Sequence, residues 1–190
     1  MKALVVYGTT EGHTRKIAVQ LAEWLKQRQF VVQTLDSSEV SGRLKIDDFD
    51  LCVLAGSLHM GQHQPSLVAY VRDNLEVLKL IPTFFVSVSA TASRNDPTSV
   101  ARANECVELF VQQSGLRPTM TKPIGGALLY SKYNFILRLV MKKISEKEGG
   151  PTDTSRDYVL TDWVALEDAL DNFLKGCSPK TLIGHDSPNV

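Results

Sequence analysis

Three threonines grouped around one glycine are the first residues in this chain that could do chemistry. Thr9, Thr10 and Thr14 lie in the turn Gly8-Thr9-Thr10-Glu11-Gly12-His13-Thr14, which follows the apolar run Ala3-Leu4-Val5-Val6-Tyr7 and leads into a helical pattern. Such a turn suits an anion. Hydroxyl groups donate, glycine lets the backbone approach closely, and the first N–H groups of the following helix are unpaired at the positive end of its dipole. The apolar run does not alternate, as expected of a strand buried on both faces of a parallel sheet. No Gly-Lys-Ser/Thr follows, so the triphosphate loop is excluded, and no Gly-x-Gly-x-x-Gly dinucleotide fingerprint is present. Taken alone, the heptapeptide also fits an ordinary strand-to-helix turn with threonine as N-cap.

The elements that must position this turn alternate. Residues 12–28 carry Ile17, Ala18, Leu21, Ala22 and Leu25 at helical spacing. Residues 30–35 read as a second strand, 36–45 as a polar connection of low order, and 50–56 as a third strand ending in glycine. A loop over 57–64 follows, with His59 and His63, and then a helix bearing Leu67, Val68, Val71, Leu75 and Leu78. Pro82 introduces a fourth strand over 83–88, and Asp96-Pro97 is an N-cap with a preset first helical residue. A fifth strand falls within 119–129, and Asp162 caps a last helix with Leu166, Ala169, Leu170, Phe173 and Leu174. Five strand–helix alternations predict an α/β fold, a doubly wound five-stranded parallel sheet in the order 2-1-3-4-5. Residues 1–175 form one domain on this reading, and 176–190 a flexible tail. Ligands in such sheets sit beyond the carboxyl ends of the strands, where the loops 9–14, 57–64 and 87–94 would meet.

Bulk properties narrow the function classes. At 190 residues the chain is expected to hold one core, and its 43% apolar and 22% charged content is that of an ordinary globular protein. Its net charge is zero, which removes any argument from overall charge for binding nucleic acid. No apolar run approaches the roughly 20 residues that span a bilayer, and no export signal opens the chain, so a cytoplasmic location is expected. Cys52, Cys106 and Cys177 share no metal spacing and read as reduced thiols, so no metal is expected.

Residues 130–148 do not belong to a minimal fold of this kind. Phe135, Ile136, Leu139, Val140 and Ile144 make one apolar stripe, and Lys132, Arg138, Lys142, Lys143 and Lys147 surround it against the acid Glu146. A basic amphipathic helix of this composition lies flat on an anionic membrane surface. The alternative is a helix packed on its own domain with a solvated basic face.

The threonine turn is similar to the FMN-phosphate loop of flavodoxins, Thr/Ser-x-Thr-Gly-x-Thr, and a flavin monophosphate fits it best. Gly126-Ala127-Leu128 with Tyr130 and Tyr133, the cationic helix, Gly149-Gly150-Pro151-Thr152-Asp153-Thr154 and Thr161-Asp162-Trp163 together resemble the bacterial flavodoxin-like, quinone-dependent protoporphyrinogen IX dehydrogenase family. The likeness runs from Lys2 to about Leu174. It departs at His59 and Met60, where the family carries arginine and tyrosine, and in a shorter segment after the fourth strand.

The resemblance implies FMN as cofactor, protoporphyrinogen IX as substrate and a membrane quinone as electron acceptor, in haem biosynthesis at the inner face of the cell membrane. FMN contacts are expected from Thr9, Thr10, Glu11, Gly12, His13 and Thr14 at the phosphate. Around the ring they are expected from Ser57, Leu58, His59, Met60 and Gly61, from Ser87, Val88, Ser89, Ala90 and Thr91, and from Thr152 and Asp153, where Asp153 either touches the flavin edge or only caps a turn. The flavin carries the chemistry, so no catalytic acid or base is assigned. Tyr130 and Tyr133 would flank a groove for a large flat substrate, and Lys132, Arg138, Lys142 and Lys143 would face the membrane. Two alternatives share the fold: an electron-carrier flavodoxin, usually strongly acidic, and an FMN-dependent NAD(P)H:quinone reductase, which needs no nicotinamide fingerprint.

Overall fold

The computed structural model describes residues 1–39, 48–59, 61–147 and 149–177, without the Lys147 side chain. Part of the polar connection, Met60 and the tail from residue 178 therefore lie outside the described residues.

Five long strands build the sheet: β1 (Lys2–Gly8), β2 (Val31–Asp36), β3 (Leu51–His59), β5 (Thr83–Ser89) and β6 (Met120–Gly125). They are parallel and ordered β2-β1-β3-β5-β6, the expected 2-1-3-4-5 once a short return strand, β4 (Gln62–His63), is left out of the count. β1 and β3 are unbroken apolar runs because both their faces are covered. On one face lie α1 (His13–Gln27) and α6 (Trp163–Gly176), packed over Val5, Val53, Phe84 and Val86. On the other, α2 (Pro65–Asp73), α3 (Leu75–Leu78) and α4 (Pro97–Ser114) cover Leu4, Cys52, Leu54 and Phe85. The register sets Gly8 beside Gly56 and Gly56 beside Ser87, so the loops after the three central strands converge on one edge.

Local chemistry sets the ends of the helices. Asp96 and Asp162 accept hydrogen bonds from the Ser99 and Ala165 amides, each at 3.0 Å, which caps α4 and α6 as their sequences imply.

Two elements differ from the sequence reading. The single helix expected over Leu67 to Leu78 is two, because Asn74 leaves helical geometry and its side-chain amide donates to the Tyr70 carbonyl at 2.8 Å. β3 continues through Ser57 and Leu58 to His59, because β4 folds back and pairs Leu58 with His63. The fifth strand falls within 119–129 as expected and ends at Gly125, where the Leu160 backbone crosses it. A Cβ at Gly125 would lie 2.1 Å from the Leu160 carbonyl oxygen, so only glycine fits.

Beyond that crossing the chain builds a small lobe. β7 (Ala127–Leu128) pairs antiparallel with β8 (Tyr158–Val159), a 3-10 turn covers Tyr130–Lys132, and α5 (Phe135–Lys147) follows. Asn134 caps α5 by accepting from the Leu137 amide at 2.8 Å. The lobe has its own core of Leu128, Tyr130 and Tyr133, with Leu137, Met141, Tyr158 and Leu160 packed against it.

Candidate functional site

The cleft lies at the converged strand ends. Its floor is the first turn, where Gly12 adopts a left-handed conformation (φ 90°) and the Thr9 hydroxyl accepts from the Gly12 amide at 3.0 Å. α1 then begins with no side-chain cap, unlike α4 and α6, so its first N–H groups face the cleft mouth without a side-chain acceptor. An incoming phosphate would satisfy them, and the turn fits that group on its own geometry.

Of the expected contacts, Thr9, Glu11, His13, Thr14, Ser57, Leu58, His59, Val88, Ser89 and Ala90 line this one cleft. Three elements of distant sequence position bring them together. The others lie outside the lining. Thr10 accepts from the Gln64 side-chain amide at 2.5 Å, and the same nitrogen donates to Ser57 at 3.0 Å, so Gln64 stitches the first turn to the end of β3. Gly12 shapes the turn, and Gly61 (φ 80°) shapes the turn between β3 and β4. Ser87 is buried on the sheet and hydrogen-bonded to His63 Nε2 at 2.9 Å. Thr91 lies in the 3-10 turn after β5, whose start Ser89 holds by accepting from the Ala92 amide at 3.1 Å. Thr152 and Asp153 lie outside the lining. Asp153 is exposed, accepts from the Ser155 amide and hydroxyl at 3.0 and 2.6 Å, and closes its own turn. Met60 lies outside the described residues.

Two buried histidines, His13 and His63, have different surroundings. His13 is buried, and its Nε2 lies 2.8 Å from the Thr161 hydroxyl, which itself donates to the Gly125 carbonyl at 2.7 Å. The threonine proton is committed, so Nε2 carries hydrogen and donates. Burial, and then the charge of Lys16, lowers the His13 pKa and keeps the ring neutral. His63 is packed edge-on between Phe85 and Phe110, and burial pushes its pKa down to about 4. It braces the sheet and does not line the cleft.

The remaining wall comes from the lobe, of which the sequence reading places Tyr130 and Tyr133 beside a groove and leaves the other lining residues unassigned. Gly126, Ala127, Leu128, Tyr133, Leu137 and Met141 complete the lining. Tyr130 does not face a substrate: it is fully buried, with its hydroxyl donating to the Pro151 carbonyl at 2.9 Å. Tyr133 alone of the pair reaches the cleft. Past Ala90, Leu128 and Met141 the cleft adjoins a mainly apolar cavity of about 200 Å³, with Ser93, Arg94, Ile144, Pro151 and Leu160 among its walls. Lys132, read from sequence as a membrane-facing cation, turns instead to the first turn, where its Nζ donates to the Glu11 carbonyl.

Residues 4–155 match the family described as a flavodoxin domain. The chain is 33% identical over 169 residues to protoporphyrinogen IX dehydrogenase [quinone] of Leishmania major, a match covering 87% of this chain and 71% of that protein. It is 29% identical over 163 residues to the Escherichia coli (strain K12) protein of the same name, covering 86% and 89%. Among solved structures, a short-chain flavodoxin associated with a bacterial microcompartment superposes with a TM-score of 0.52 at 16% identity, covering 94% of this chain and 100% of that one.

Proposed function

The chain belongs to the flavodoxin-like protoporphyrinogen IX dehydrogenase (quinone) family, and we propose that it oxidises protoporphyrinogen IX to protoporphyrin IX with FMN as cofactor and a membrane quinone as electron acceptor. One observation carries the reading: a phosphate-type turn forms one end of a cleft whose other wall is the apolar lobe, and the cleft adjoins a second apolar cavity. FMN held there would supply two-electron redox chemistry between the porphyrinogen and the quinone.

The side chains do the rest. The α1 N-terminus and Thr14 would hold the phosphate, and Ser57 to His59 with Val88 to Ala90 would border the ring. Leu128, Tyr133, Leu137 and Met141 offer an apolar surface to a flat macrocycle and exclude water from it. His13 keeps its proton at Nε2, directed at Thr161, and so orients the turn without exchanging that proton with substrate.

The same reading places the protein peripherally on an anionic membrane face. No helix among the described residues is long and apolar enough to cross a membrane. α5, however, leaves Phe135 and Ile136 76% and 74% exposed, with Lys142 and Lys143 exposed beside them. Arg138 contributes less, because it is half-buried and donates to the Tyr133 carbonyl at 3.3 Å.

The test is anaerobic. Protoporphyrinogen IX should bleach the flavin absorbance of the FMN-loaded protein, and a quinone should restore it, whereas NADPH should do neither. Faster reduction by NADPH than by porphyrinogen would replace the reading with an NAD(P)H:quinone reductase. Flavin that responds to neither, but exchanges electrons with soluble redox proteins, would indicate a carrier.

A further inference from the structure

The first turn has no lysine in sequence, yet a lysine stands on it in space. Lys132 Nζ donates to the Glu11 carbonyl oxygen at 2.5 Å, and a Cβ built at Gly12 would lie 3.6 Å from that nitrogen. The backbone that delivers it is fixed on both sides. Tyr130 and Tyr133 are buried, and the Ser131 amide and hydroxyl donate to the Asp157 carboxylate at 2.9 and 2.7 Å. Only the lysine side chain is left to extend, and it extends over the anion end of α1.

What it meets there is a neutral carbonyl. An ammonium has three donors, so its contact with Glu11 leaves two of them for a further acceptor. The Gly12 amide is already taken by Thr9, and α1 has no side-chain cap. A cation held above such a helix start is the arrangement that a phosphate dianion completes, and it offsets the negative charges of Glu11 and Asp157 nearby.

We propose that Lys132 is the phosphate lysine of this site: it binds the terminal monophosphate of the flavin nucleotide jointly with the α1 N-terminus, and so makes the inserted lobe part of the cofactor site. The proposal rests on the FMN reading above but not on the identity of the porphyrinogen substrate. It assigns the two ends of the inserted segment to different tasks, with Lys132 on the cofactor and α5 on the outer surface. It also implies coupling, because a nucleotide that pulls on Lys132 steadies the 3-10 turn from which α5 starts.

Riboflavin, which lacks only the phosphate, gives the control. The full-length apoprotein is titrated with FMN and with riboflavin by quenching of flavin fluorescence, for wild type, Lys132→Gln and Lys132→Arg. A charge-assisted bond corresponds to about tenfold to hundredfold in affinity. Lys132→Gln should therefore weaken FMN by about that factor and leave riboflavin unchanged, while Lys132→Arg recovers most of the loss. An FMN-to-riboflavin affinity ratio equal in wild type and Lys132→Gln would overturn the proposal and leave the phosphate turn intact. A wild type that does not prefer FMN to riboflavin would overturn both.

A second measurement needs no variant. Hydrogen exchange over residues 130–137 of the wild-type protein should slow with saturating FMN but not with saturating riboflavin, and equal slowing by both would also overturn the proposal.

Discussion

Helices α5 and α6 carry apolar residues at the same helical spacing, yet only α6 has its stripe covered. On α6, Leu166, Ala169, Leu170 and Phe173 are all buried, and the Phe173 ring stacks on Phe84 with centroids 5.3 Å apart. On α5, Phe135, Ile136, Leu139, Val140 and Ile144 are all exposed, and the helix touches the domain through Leu137, Met141 and the buried Ser145, whose hydroxyl donates to the Pro151 carbonyl at 2.7 Å. A helix held by a narrow stripe at i, i+4 and i+8, with its wider stripe facing out, has an apolar surface available for something outside the chain. Periodicity locates a stripe. It does not say what covers it.

The sharpest way to break this comparison is to truncate one phenylalanine on each helix. Phe173→Ala should cost about 3–5 kcal/mol in urea unfolding, because it removes a stacked ring and leaves a cavity between α6 and the sheet. Phe135→Ala should stay within about 0.5 kcal/mol, since its ring contributes to no core. Similar losses for the two would mean that the α5 stripe is covered in solution, and the contrast would fall.

Acid separates the sheet body from the lobe next. Burial among Phe85 and Phe110 lowers the His63 pKa from its ordinary 6.5 to about 4, so below pH 6.5 the unfolded chain binds the proton more readily than the folded one. The His63 contribution is therefore complete above pH 6.5 and is lost as pH falls toward 4, by up to about 3 kcal/mol and by about 2 kcal/mol between pH 7 and 5. His63→Gln, which can still bond Ser87, should be less stable at pH 7 but lose less on moving to pH 5. Parallel urea titrations at the two pH values measure this, and equal losses for wild type and variant would show that His63 is not buried as the neutral ring.

These two regions also differ in how much of them could be read from the sequence. The parallel order, the paired Asp caps and the first turn were legible because each depends on residues adjacent in sequence: an unbroken apolar strand, Asp96 before Pro97, threonines around Gly12. The lobe was legible as an insertion with Tyr130 and Tyr133 beside a groove, but not as to which tyrosine faces it. That Tyr130 turns inward to Pro151 while Tyr133 lines the cleft depends on where residues 149–151 return, more than fifteen positions later. Lys132 shows the same limit, since its meeting with Glu11 spans 121 positions. His63 read as a loop histidine because β4, two residues long, carries too little pattern to announce a strand. The Thr152 and Asp153 assignments came from resemblance alone, and in the fold Asp153 closes a local turn with Ser155. Why position 125 takes only glycine, the close approach of the Leu160 carbonyl, is invisible without the fold.

The smallest expected effect tests the division of labour within the lobe itself. If α5 docks on an anionic surface, Lys142 and Lys143 each contribute about 1 kcal/mol there, so Lys142→Gln with Lys143→Gln should weaken binding to phosphatidylserine-containing vesicles about thirtyfold at low ionic strength. The gap should close as salt is raised, because a Debye length of about 8 Å at physiological ionic strength already screens exposed charges. The apolar stripe would then carry what binding remains, and Phe135→Ser with Ile136→Ser should remove that salt-resistant part. Lys132→Gln supplies the contrast: its ammonium is engaged at Glu11, so vesicle binding should be unchanged while FMN affinity falls. Should Lys132→Gln weaken vesicle binding as much as a lysine on α5 does, the cations of the lobe act as one basic patch, and the separation of its cofactor end from its membrane face is wrong.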